Sequence, residues 1–166
     1  MSTVRTATTA DADAIAEVQV LGWRRAYEEI LPGDFLAALS VERRTEWWSR
    51  QVELGTLAIL VVDDDDGQVA GFASMGPANS SQEAELYAIY LRPERWGQGL
   101  GRALILAAED LMAEQGYRIC VLWVFADNAR ARRFYETAGW ELDGALRVEE
   151  FGGVQPNQVR YRRHLG

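Results

Sequence analysis

Gly97, Gly99 and Gly101 alternate along a short stretch. Before it lies a strand-like run, Glu85 to Leu91, and after it Leu100, Leu104, Ala107 and Leu111 recur at helical spacing. The chain must therefore pass from a strand, through a tight turn, into an amphipathic helix. First-turn amides of a helix have no intrahelical acceptor and the helix dipole is positive there, so such a turn is suited to a phosphate or pyrophosphate. Glycine lets the backbone approach closely and supplies the positive φ that a concave nest of amides requires. A tight connection without any ligand would use the same glycines, and spacing alone leaves both readings open. Two other phosphate loops are excluded. A dinucleotide fingerprint, G-x-G-x-x-G, meets Arg102 or Leu104 where its third glycine belongs, and a Walker loop needs a lysine, which this chain lacks altogether.

The 166 residues, 48% of them apolar, are enough for one domain with an ordinary core, and residues 1–166 are read as a single domain. A formal charge of −8 argues against general nucleic-acid binding and against adhesion to an anionic membrane. Positive charge nevertheless collects near the glycine turn, as Arg92, Arg95 and Arg102, and later as Arg130, Arg132 and Arg133. These are either part of an anion site or solvated helix-face arginines. The lone Cys120 excludes an internal disulfide and, inside Ile119 to Val124, reads as a small core residue. No signal-peptide pattern or membrane-length apolar run is present, so a cytoplasmic location is expected.

Along the chain, Thr3 to Thr6 reads as a strand, followed by a helix through Ile15, Val18, Leu21 and Trp23 toward Tyr27, which Ile30-Leu-Pro-Gly33 breaks. Helical patterns follow at Phe35 to Leu39 and Val41 to Val52, with Ser40 as the cap between them. Leu57 to Val62 and Val69 to Met75 read as strands joined by the turn Asp63-Asp-Asp-Asp-Gly67, a turn signal rather than a metal site. Gly76 to Ser81 is a loop, and the helix after the glycine turn stops at Gly116. The nearly continuous apolar run Ile119 to Phe125 reads as a central strand covered on both faces. Asp127-Asn128 caps a short helix ending at Gly139, and Trp140 to Glu149 and Val154 to Arg163 close the chain as strands around Gly152-Gly153. The order gives an α/β, or mixed-sheet α+β, fold with helices on both faces.

Glu85 to Leu104, together with Asn128-Ala-Arg-Ala-Arg-Arg-Phe-Tyr-Glu-Thr-Ala-Gly-Trp140, resembles the GCN5-related N-acetyltransferase (GNAT) family in both acetyl-CoA-binding segments and in their spacing. The resemblance implies an acyl-CoA N-acyltransferase fold with a mostly antiparallel central sheet, acetyl-CoA as co-substrate without a metal, and an amine-bearing acceptor. It implies that Ile89 and Leu91 hold the pantetheine arm through main-chain groups, and that the turn Trp96, Gly97, Gln98, Gly99, Leu100, Gly101 and Arg102 holds the pyrophosphate. Asn128 and Ala131 would lie on the pantetheine side and Tyr135 near the sulfur. The strands ending at Leu91 and Phe125 would splay around the thioester. One departure is plain: the family pattern Q/R-x-x-G-x-G/A begins here with Trp96. A homodimer through the last strands is common among such proteins and enters by analogy alone.

Acetyl transfer to an amine needs a neutral nucleophile, a stabilised oxyanion and protonation of the thiolate. Glu85 falls where histone-type members carry a general base, although a solvated strand-edge carboxylate beside Glu83 would look the same. The Leu91 amide could meet the thioester oxygen, an interaction of about 2.7–4 kcal/mol in other enzymes. Tyr135 could donate to the thiolate or simply pack against the sheet. His164 is expected on the surface. Trp23, Tyr27, Glu28 and Glu29 are acceptor-site candidates that would favour a small amine by charge and cation–π contact, with aromatic packing as the competing role. The expectation is an N-acetyltransferase acting by direct transfer; the alternative is a non-catalytic acyl-CoA-binding or sensing module of the same fold.

Overall fold

The computed structural model describes residues 3–79 and 82–166. Seven strands form one sheet: β1 (Thr3–Thr6), β2 (Ala58–Asp63), β3 (Val69–Pro77), β4 (Glu83–Leu91), β5 (Ile119–Phe125), β6 (Glu141–Val148) and β7 (Asn157–His164). Their spatial order is β1-β2-β3-β4-β5-β7-β6, and of the neighbouring pairs only β4 and β5 run parallel. Helices α1 (Ala12–Ala26) and α3 (Val41–Leu54) lie on one face, packing Ile15, Val18 and Trp48 against Ile59, Val61 and Phe72. Helices α4 (Leu100–Glu114) and α5 (Ala129–Thr137) cover the other face, where Leu104, Ala108 and Tyr135 meet Ala73, Leu86 and Leu122. The short α2 (Gly33–Ala37) joins Leu36 to Leu31 and Phe125.

Local signals set most of these boundaries. The Ser40 hydroxyl accepts from the Arg43 amide to cap α3, and Gly116, at φ +94°, ends α4. Asp64 organises the acidic hairpin by accepting from the amides of Asp66 and Gln68. The loop expected from Gly76 begins later because β3 runs on to Pro77, and its Ser80 and Ser81 lie outside the described residues. A second difference concerns β5. It is internal, but on the α1 face the cover over Trp123 includes charged groups: the guanidiniums of Arg147 and Arg160 lie over that ring, at 4.4 and 5.6 Å from its centroid. An apolar run reports burial and not what does the burying.

The feature that positions the site is a break in pairing. β4 and β5 are registered only from Glu83↔Ile119 to Glu85↔Val121, after which they part. On the other side of β4, the register with β3 shifts between Ser74↔Ala88 and Met75↔Leu86, leaving Tyr87 as an extra residue. Such a bulge bends a strand and inverts the facing of the residues beyond it. Thus Ala84 and Leu86 join the α4 side before it, and Ile89 and Leu91 join the same side after it.

Candidate active site

Where β4 and β5 diverge, a cleft of about 640 Å³ opens in the middle of the sheet. One wall is the second half of β4, with Ile89 and Leu91, and the opposite wall is the end of β5 with Asn128, Ala131 and Tyr135 of α5. The Arg92 amide donates to the Ala70 carbonyl of β3 at 2.8 Å. Main-chain groups alternate sides along a strand, so those of Ile89 and Leu91 point the other way, into the gap that β5 has left. The Leu91 carbonyl there accepts the Trp96 indole N–H at 3.3 Å, while its amide stays available.

At one end of the cleft lies the glycine turn. Gly97 and Gly99 have φ of +76° and +85°, and Gly99 is the N-cap of α4. The first intrahelical bond of α4 runs from Ala103 to the Gly99 carbonyl, so Leu100, Gly101 and Arg102 offer first-turn amides without helical acceptors. No acidic residue stands in that first turn. Gly101 serves a different purpose. A Cβ there would come 3.2–3.3 Å from Phe134 and Leu91, so its missing side chain lets α4 and α5 approach. Of this turn only Trp96 and Gly101 line the enclosed cleft; Gly97, Gln98, Gly99 and Arg102 are exposed at its mouth.

Trp96, the departure from the family pattern, has two guanidiniums close to its ring. Arg130 of α5 stands 3.8 Å from its ring centroid and Arg25 of α1 stands 5.9 Å away. Desolvation, then the nearby cations Arg25 and Arg133, lowers the Arg130 pKa. The sequence showed the arginine cluster around Arg130 but not its coupling to Trp96 or to Arg25, which comes from a distant helix.

Tyr135 is buried, with its ring among Phe134, Trp140 and Tyr161, and no side-chain bond holds its hydroxyl among the described residues. Burial, and secondarily the nearby Tyr90, pushes its pKa well above the ordinary tyrosine value. The hydroxyl therefore stays neutral, a donor suited to a developing thiolate. Asn128 divides its side chain: Oδ1 accepts the Ala131 amide at 3.2 Å to cap α5, leaving the Nδ2 amide for a ligand.

The other end of the cleft is aromatic and charged. Trp23 and Tyr27 pack edge-on at 5.2 Å, Tyr27 stands 4.8 Å from Phe125, and the Tyr27 and Tyr90 hydroxyls are bonded at 2.9 Å. Phe151, carried by the turn between β6 and β7, reaches Trp23, Phe35 and Phe125 at 6.1, 6.2 and 5.4 Å. The Trp23 indole Nε1 is buried here without a hydrogen-bond partner among the described residues. Glu28 and Glu29 line the cleft as expected, but Glu28 is paired with Arg25 at 2.5 Å. Phe151, Arg147, Glu149 and Trp123 were not anticipated; only the Gly152-Gly153 signal next to Phe151 could have pointed to one of them.

Glu85 sits at the last paired position of β4, just before the bulge, beside the cleft and not among its lining residues. Its carboxyl has no hydrogen bond or ion pair among the described residues. Desolvation raises its pKa, against the opposing pull of Arg147 and Arg160. His164, at the end of β7, is exposed and far along the sheet from the cleft walls.

A sheet whose parallel pair splays beside a glycine-capped helix defines an acyl-coenzyme A transferase architecture. Comparison with known proteins agrees. Residues 21–140 match the model of the acetyltransferase (GNAT) family. The chain is 42% identical over 132 residues to the "uncharacterized N-acetyltransferase YuaI" of Bacillus subtilis, covering 77% of this chain and 74% of that protein. It is 37% identical over 92 residues to the mycothiol acetyltransferase of Clavibacter sepedonicus, covering 55% of this chain but only 29% of that longer protein. The yncA acetyltransferase of Salmonella typhimurium, solved with its cofactor acetyl-CoA, superposes with a TM-score of 0.76 at 23% identity, over 100% of this chain and 95% of that one. The chain belongs to the GNAT family of acetyl-CoA-dependent N-acetyltransferases.

Proposed function

We propose that this enzyme acetylates a primary amine by direct transfer from acetyl-CoA bound in the cleft. The diphosphate lies on the amides of Gly97 to Arg102, with the Arg25–Trp96–Arg130 stack supplying the cations that the usual Q/R side chain would have begun. The pantetheine arm runs between the main-chain groups of Ile89 and Leu91 and the Nδ2 amide of Asn128. The acceptor comes from the side of Trp23, Tyr27 and Glu28. Glu85 takes the ammonium proton, directly or through water. The amine nitrogen then bonds to the acetyl carbon while the Leu91 amide meets the carbonyl oxygen. The C–S bond breaks with the Tyr135 hydroxyl bonded to the sulfur, and the second amine proton passes through that hydroxyl to the sulfur as the amide forms, so that coenzyme A leaves as its thiol. No helix among the described residues is long and apolar enough to cross a membrane, and a cytoplasmic working place belongs to the same proposal.

The observation that carries this reading is the parting of β4 from β5 after the Glu85–Val121 pair, next to a helix mouth with unclaimed amides. Calorimetry should show acetyl-CoA binding far more tightly than adenosine, and a thiol-release assay over an amine panel should show acceptor-dependent turnover. Equal affinity for acetyl-CoA and adenosine would end the proposal.

A further inference from the structure

The acceptor end of the cleft carries a cation that the transfer chemistry does not use. Arg147 of β6 lies with its guanidinium 4.4 Å from the centroid of Trp123, donates from Nε to the Gln158 side chain, and pairs through Nη2 with Glu149 at 2.9 Å. Arg147, Glu149, Trp123 and Gln158 all line the cleft. The strand registers show why they meet. Trp123 pairs with Arg160 on β7 and Arg147 pairs with Gln158, so these side chains, together with Glu85 opposite Val121, stand on the sheet face that α1 and α3 leave uncovered.

Charge around the cleft is close to balanced. Three lining arginines face four lining carboxylates, and Glu28 and Glu149 are already matched by Arg25 and Arg147, while Glu29 and Asp127 carry no ion pair among the described residues. To bind a cationic acceptor, Glu28 or Glu149 would have to leave an arginine behind. Glu85, beside the cleft, also has no partner among the described residues, and it faces the guanidiniums of Arg147 and Arg160 across the strands. Glu149 is 49% exposed in its side chain, so its pair with Arg147 is weak and easily exchanged. A guanidinium held over an indole and fixed at Nε is pre-organised for a planar carboxylate.

We infer that the acceptor is an α-amino acid or close analogue, its carboxylate held by Arg147 on the Trp123 platform and its amine turned toward Glu85. This rests on the transferase reading above and gives that site its substrate class. A peptide N-terminus or a simple amine lacks the carboxylate that Arg147 would take.

The test uses leucine, methionine, phenylalanine, glutamine and serine, each beside its C-terminal amide. Binding is measured by calorimetry on the coenzyme A-loaded protein and turnover by thiol release. At least one free amino acid should exceed its amide by about tenfold or more in both readouts, as a charge-assisted pair predicts. Arg147→Gln should erase that difference by raising the KM of the acid, with the amide's KM and the Kd of acetyl-CoA unchanged. Glu149→Gln, which removes the competing carboxylate, should tighten the acid about twofold. Amides that match their acids, an Arg147→Gln variant that weakens both alike, or no binding by any member of the panel would overturn the inference. In each of those cases, retained acetyl-CoA binding would leave the transferase reading standing; loss of acetyl-CoA binding by the unaltered protein would remove that reading instead.

Discussion

The two ends of the cleft are made of different material. In the proposed complex the donor end is held mainly by main chain, the amides from Gly97 to Arg102 and the main-chain groups of Ile89 and Leu91, with Asn128 and the arginines around Trp96 in support. The proposed acceptor end is built of side chains on separate elements: Trp23 of α1, Tyr27 at its C-cap, Trp123 of β5, Arg147 of β6 and Phe151 of the turn before β7. A main-chain site tolerates side-chain change and fails when the backbone is forced elsewhere. A side-chain site keeps its backbone and changes what it accepts. Substitutions at the two ends should therefore separate coenzyme affinity from acceptor affinity.

The largest effect is expected where the two ends meet. Tyr135→Phe removes one hydroxyl from a buried ring without altering its packing, so kcat should fall by about 10²–10³, in the range of acid–base contributions, with the Kd of acetyl-CoA unchanged. Steady-state kinetics beside calorimetry checks both. An unchanged kcat would mean the sulfur leaves without help from that hydroxyl.

Glu85→Gln should lower kcat/KM by about 10² at neutral pH and also remove a limb of the pH profile. Burial raises the Glu85 carboxyl, and the base must be ionised, so kcat/KM of the unaltered enzyme should drop on the acid side at a pH above the usual carboxylate value of about 4.3. The sign for stability is opposite. Between the ordinary and the raised pKa the folded protein binds more protons than the unfolded chain, so stability declines as pH rises through that window. Glu85→Gln should thus melt slightly higher than the parent at neutral pH while being less active. A variant with the parent's acid limb would pass the base role to another group.

Gly99→Ala tests the main-chain end directly. Nothing lies within 4 Å of where its Cβ would stand, so any loss comes from the backbone at φ +85° and not from a clash. Left-handed geometry costs an L-residue about 1–2 kcal/mol, which corresponds to a roughly 5- to 30-fold rise in the Kd of acetyl-CoA. Acceptor KM at saturating coenzyme should not move. Trp96→Ala should act less strongly on the same quantity, about fivefold, by releasing Arg130 and Arg25 from the ring at about 1 kcal/mol of cation–π energy. Its binding should also lose some of its salt dependence, because the guanidiniums would no longer be gathered.

The same division explains how much could be read from the chain. Donor-end geometry is encoded locally: Gly97 and Gly99 mark positive φ, Asn128 marks a cap, and both lie within short stretches whose secondary structure is clear. The fold class and nearly every element boundary follow from similarly local signals. Acceptor-end geometry depends on which strands become neighbours. Trp123 and Arg147 meet because β7 lies between β5 and β6 in the sheet, and the bulge at Tyr87 turns Ile89 and Leu91 toward the α4 side. Neither the interleaved order nor the bulge has a residue signature. The pairing of Arg25 with Glu28 is likewise illegible, because in sequence Arg25 looks like one more solvated helix arginine.

The smallest effect separates the ends most cleanly. Phe151 is brought to the acceptor wall by the Gly152-Gly153 turn, which seats so closely that a Cβ on Gly152 would stand 2.7 Å from that of Phe35. Phe151→Ala leaves that turn intact but removes the ring from Trp23, Phe35 and Phe125, contacts worth about 0.5–1.5 kcal/mol per aromatic pair beyond area burial. Part of that loss falls on folding, and Tm should drop by a few degrees. The remainder loosens the wall beside the acceptor, so its KM should rise about threefold, roughly 0.6 kcal/mol. Acetyl-CoA affinity should stay constant, because no ring of this cluster touches the glycine turn. If the coenzyme Kd rose in step with the acceptor KM, the wall would be holding α1 and, through Arg25, the Trp96 stack, and the two ends would be one mechanical unit.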